Sequence, residues 1–155
     1  MSQLMTIGFL VWWPVLQVGA NPTMFGLTLG ETLESHFTVI YPEIVRSGTN
    51  RYTHGPEYQL PVESMACCAD MPVSELREAK IVFSEQEKLV AILTLFEGSQ
   101  SFTPLESWLD RHYTRVPRMY PSLRDQHIRY HSGESQILLE LDRDNGGACF
   151  VLHAR

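Results

Sequence analysis

The spacing of apolar positions changes several times along the chain, and each change marks an element. Leu29, Leu33 and Phe37 recur every four residues and predict a short helix over 29–37. Thr28 and Glu31 have capping-box spacing, with Thr32 as an alternative cap, and Glu31 and Glu34 sit where a helix dipole favours acids. Residues 38–41 are β-prone and end at Pro42. Between 42 and 75 the pattern dissolves: Gly48, Gly55, Pro56, Pro61 and Pro72 leave room only for short strands near Tyr52 and over 58–62. A strand at 79–83 then pairs with one at 89–96 through a connection at 84–88. The second of these is apolar on both faces, which predicts a central strand covered by a helix. That helix is expected at 103–115, opened by Thr103, Pro104 and Glu106 and apolar at Leu105, Trp108, Leu109 and Tyr113. Pro117 and Pro121 stop it. Strands follow at 126–131, 136–142 and 148–153, the last two joined by an Asp144-Asn145-Gly146-Gly147 turn. The sum is an α+β domain: an antiparallel sheet of about five to six strands with two packed helices.

Composition changes this picture at the amino end. All 30 charged side chains of the 155-residue chain lie beyond position 20. Residues 4–16 form an apolar run interrupted by Thr6 and Pro14, and Val18 and Ala20 are small enough for signal-peptidase pockets. Residues 1–20 therefore read as a signal peptide and 21–155 as a single domain, periplasmic or secreted. The alternative is a buried strand or helix of a cytoplasmic protein. The run is shorter than the roughly 20 residues that span a bilayer, so no stable membrane anchor is expected. The net charge of −6, with only Lys80 and Lys88 as lysines, argues against a nucleic-acid partner.

Candidate chemistry is sparse. Cys67, Cys68 and Cys149 could supply one disulfide and one thiol, Cys149 pairing with either neighbour, or all three could be buried as small hydrophobes. A Cys149–His131 or Cys149–His153 nucleophile pair would make a small cysteine-dependent hydrolase. Two residues four apart on one strand lie roughly 13 Å apart, which disfavours Cys149 with His153 and stops His127 and His131 from sharing a metal. Metal-binding, phosphate-loop and nucleophile-elbow motifs are missing from the sequence. No cofactor and no catalytic residue is expected.

Phe25-Gly26-Leu27-Thr28-Leu29-Gly30-Glu31-Thr32-Leu33-Glu34 resembles the opening of many small secreted bacterial α+β proteins, just after their signal. Lys88-Leu89-Val90-Ala91-Ile92 and the stretch from Phe102 to Tyr113 are similar to the strand and helix that follow there. The resemblance spans most of 24–115 and implies a small periplasmic scaffold of the kind used by inhibitors, immunity proteins and envelope assembly factors. It carries over no site residue.

The functional expectation is a non-catalytic protein-binding factor, an inhibitor or immunity protein, with a structural or assembly component of the bacterial envelope as the alternative. Its interface is expected in the irregular stretch, at Tyr41, Arg46, Arg51, Tyr52, His54 and Tyr58, because tyrosine and arginine anchor interfaces well. The acidic balance points to a basic, envelope-active enzyme as partner.

Overall fold

A computed structural model describes residues 20–61, 63, 76–117, 126–142 and 148–155, with the side chains of 148–150 and 153 left out. The expected signal peptide, Cys67, Cys68 and the Asp144–Gly147 turn lie outside the described residues, apart from Ala20.

The elements run β1 (Thr23–Met24), β2 (Leu27–Thr28), α1 (Glu34–Ile40), β3 (Arg46–Thr49), β4 (His54–Leu60), β5 (Leu76–Ser84), β6 (Leu89–Phe96), α2 (Phe102–His112), β7 (Thr114–Arg115), β8 (His127–Ser132), β9 (Ser135–Asp142) and β10 (Ala148–Ala154). The fold is α+β with two helices on antiparallel sheet, as the pattern predicts. The strand count needs correction: the main sheet has eight strands, in the order β3-β4-β5-β6-β10-β9-β8-β7, and β1 and β2 form a separate two-stranded ribbon. The additional strands are short or polar. β3 reads Arg-Ser-Gly-Thr and is exposed throughout, so it has no apolar alternation to betray it.

The chain leaves the middle of the sheet at β6, crosses through α2 to the far edge at β7, and returns strand by strand until β10 pairs with β6. This topology makes β6 central, which its two-sided apolar sequence requires. Phe102, Leu105, Trp108 and Leu109 of α2 are buried, and the helix lies against β9. It ends before the expected 115 because Tyr113 is already extended and Thr114 and Arg115 pair with His131 and Tyr130 of β8. Arg115 then fastens β7 to the helix, its guanidinium donating to both Asp110 oxygens at 2.9 and 2.7 Å and to Glu106 at 2.5 Å.

The first helix starts later than its apolar spacing predicts. Gly30 and Glu34 donate backbone bonds to Leu89 and Glu87, and Thr32 accepts one from Leu89. Residues 30–34 are thus docked on the β5–β6 connection and the start of β6, to which Gly30, Thr32 and Glu34 each commit a backbone group, while the Glu31 and Thr32 N–H groups close a single turn onto the Thr28 carbonyl that does not continue into α1. The helix instead continues through the stretch expected as a strand, 38–41, to Ile40. Phe37 is its one buried residue. The ring packs against Tyr41, Tyr58 and Phe83 with centroids 5.4, 5.0 and 5.4 Å away. This aromatic cluster joins α1 to β4 and β5.

Candidate functional site

The end of α1 and the residues that follow it hold the large exposed apolar side chains found among the described residues. Among the described residues the large hydrophobics that stand well out in solvent are Val39 (78%), Ile40 (50%), Val45 (78%) and Tyr52 (76%). All four fall within one stretch of chain. Val39 occupies the outer side of α1, opposite Phe37, Ile40 is the helix's last residue, half exposed on the flank next to Phe37, and Val45 directly precedes β3. Single exposed hydrophobics are ordinary on a protein surface, whereas a contiguous apolar patch marks a contact surface; these four are neighbours in sequence, on α1, before β3 and in the β3–β4 turn.

The segment is built to hold its shape. Tyr41 closes α1, its N–H donating to Phe37 and its hydroxyl to the Phe25 carbonyl at 3.0 Å. Asn50 organises the β3–β4 turn: its side-chain oxygen accepts from the N–H groups of Tyr52 and Thr53, while its amide donates to Glu57 at 2.8 Å. Thr53 donates to the Phe83 carbonyl at 2.8 Å, tying the turn to β5. Gly55 lies so close to β5 that a Cβ there would come within 2.2 Å of the Phe83 carbonyl oxygen. On this support Arg51 stacks over the Tyr52 ring, 4.7 Å from its centroid, and donates to the Tyr52 hydroxyl at 2.5 Å. The pair is pre-organised, so a partner would lose little side-chain entropy in meeting it.

The six expected interface residues therefore separate into two groups. Arg46, Arg51, Tyr52 and His54 are exposed on β3, the turn and the start of β4. Tyr41 is half-buried and Tyr58 buried, and both brace the surface from beneath. Sequence reasoning missed Val39, Ile40 and Val45. Helical spacing from Phe37 would have turned Val39 outward, but the β-branched run suggested a strand, and Ile40, three residues from Phe37, is exposed because the helix ends there.

Electrostatics within the segment follow from its pairings. Glu57 is ion-paired with Lys80 at 3.2 Å. The hydrogen bond from Asn50, followed by Lys80, outweighs burial and holds its carboxyl below the usual range. Tyr58 donates to Glu34. Burial, reinforced by that carboxylate, pushes its phenol up to about 12. Burial likewise pushes Tyr130 up to about 12. Both phenols have folded values above the unfolded value near 10. Their protonated forms therefore favour the fold fully below pH 10, and that contribution is lost as pH rises from about 10 to about 12. The urea midpoint is expected to fall across this window, and less steeply in a Tyr58→Phe/Tyr130→Phe variant; a flat midpoint would contradict the assignment.

A second concavity, of about 620 Å³, lies where Asn21 and Thr23 face His112, Tyr113, His131 and Ser132. Ser132 donates to the Ala20 carbonyl at 2.7 Å, and the His112 Nδ1 lies 2.7 Å from the Trp108 carbonyl. Among the described residues no carboxylate, lysine or arginine lines it. Among the described residues no three metal-ligating side chains gather. The sheet register also separates the backbones of Cys149 and His131, the nucleophile pair of the alternative hydrolase reading. Cys149 stands opposite Leu141 of β9, whereas His131 stands opposite Gln136, five positions along the same strand. That is roughly 17 Å along the strand direction, with a further strand between them.

Comparison with known proteins adds no relative. No family model, curated protein or solved structure matches the chain. Among the described residues no helix is long and apolar enough to cross a membrane.

Proposed function

We propose that this chain is a non-catalytic protein-binding factor of the inhibitor or immunity type, docking on an envelope protein through residues 39–54. The observation that carries this reading is that, among the described residues, the exposed large hydrophobics all fall within 39–52, the last of them Tyr52 in contact with Arg51. Aromatic and arginine anchors set among apolar contacts are the composition of binding hot spots. The apolar run at 4–16 and the small residues Val18 and Ala20 support export, and with it an envelope partner.

The test is capture from an envelope extract, identification of the bound protein, and reconstitution with that protein in purified form. Replacing Val39, Val45 and Tyr52 by serine is expected to abolish the reconstituted complex while leaving the melting temperature unchanged, because all three side chains are exposed. A complex that survives the triple substitution would place the interface elsewhere and end this proposal.

A further inference from the structure

Resting on that reading, we infer that the partner meets residues 39–54 with carboxylates set among apolar side chains, a sign opposite to the one the net charge suggests. The chain as a whole is acidic, at −6. Within 39–54, however, Arg46 and Arg51 stand against the single acid Glu43. Among the described residues Arg46 and Arg51, like Arg77, Lys88, Arg111 and Arg129, form no ion pair, whereas Lys80, Arg115 and Arg155 are each held by a carboxylate; what sets Arg46 and Arg51 apart is that they flank exposed Val45 and Tyr52. Glu57, the acid across the hairpin from β3, is committed to Lys80 and Asn50. Glu34 accepts from Tyr58. The two guanidinium groups are hydrogen-bonded within the segment, Arg46 to Gly48 and Thr49 and Arg51 to Tyr52, but no carboxylate among the described residues neutralises their charge.

Screening decides between the local and the global sign. At physiological ionic strength the Debye length is about 8 Å. Charges on the far side of an eight-stranded sheet are damped at this surface, while Arg46 and Arg51 act at contact distance. A basic partner would bring its own cations against two guanidinium groups beside exposed Val45 and Tyr52. An acidic one would pair with them while its apolar groups cover those side chains. A symmetric contact between two copies would bring two positively charged segments together, with Glu43 as the segment's one acid to offset them.

The experiment titrates the full chain against two fluorescein-labelled peptides, one of alternating glutamate and leucine, the other of alternating lysine and leucine. The glutamate peptide is expected to bind at least about tenfold more tightly, and the preference should shrink between roughly 0.05 and 0.5 M salt. Arg46→Glu/Arg51→Glu should reverse the preference, with Arg51→Glu alone as a milder variant should the double one fold poorly. Tighter binding of the lysine peptide, weakened by Val45→Ser and Tyr52→Ser, would overturn the inferred sign and leave the docking surface standing. Saturable binding of neither peptide, or binding indifferent to Val45→Ser and Tyr52→Ser, would overturn the docking surface itself. Sedimentation of the unlabelled chain supplies the last arm: a dimer abolished by Arg46→Glu/Arg51→Glu would make a second copy the occupant and refute an acidic partner.

Discussion

Phe37→Ala is expected to destabilise the fold by about 3–5 kcal/mol, measured by urea denaturation. The α1 helix has seven residues, too few to persist in water without tertiary contacts. Phe37 is its one buried side chain, and the ring completes the cluster with Tyr41, Tyr58 and Phe83. Alanine would leave a cavity among three rings and remove what holds the helix to the sheet. Val39→Ser, on the outer side of the same helix, is expected to change stability by no more than about 0.5 kcal/mol. The contrast makes the result diagnostic. A small loss at Phe37 would mean that α1 is held by something other than this ring.

Trp108→Ala is expected to cost a comparable amount, about 3–5 kcal/mol, by the same denaturation assay. Trp108 is buried in α2, stacks on His112 at 4.4 Å and meets Tyr113 edge-on at 5.9 Å. Its indole N–H is buried with no acceptor among the described residues. Trp108→Phe is therefore expected to lose less than half as much as the alanine variant, because it keeps most of the ring and removes a donor that is costly to leave unsatisfied. If phenylalanine proved as damaging as alanine, the indole nitrogen would have a partner that matters.

The sequence made the long, two-sided apolar elements legible and hid the polar ones. β6 announces itself as central because Leu89, Ile92 and Phe96 are apolar on a strand whose other positions are also largely apolar. The buried stripe of α2 is equally plain in Leu105, Trp108 and Leu109. Positions 29–33 carry good helical spacing, yet the strand start beside them takes their backbone bonds, a tertiary choice that local periodicity cannot register. β3 escaped notice because strand pairing with β4, not its side chains, defines it. Of the candidate surface, Arg51, Tyr52, Arg46 and His54 were readable from residue type in a loop-rich stretch. The inward turn of Tyr58 was not, because it depends on which face of β4 α1 covers.

The two rims of the sheet have a consequence for how the protein behaves at high concentration. β3 is four residues long and bulged between Arg46 and Gly48, and the Arg46 side chain already donates to the Gly48 carbonyl at 2.9 Å and to Thr49 at 2.8 Å. β7 at the other rim has two residues, and its Arg115 is clamped to Glu106 and Asp110. A neighbouring molecule that tried to continue the ladder on β3 or β7 would meet a strand of four or two residues and a charge it must displace. The sheet therefore terminates itself, and exposed valines can be displayed beside one rim without inviting the edge-to-edge stacking that leads to fibrils.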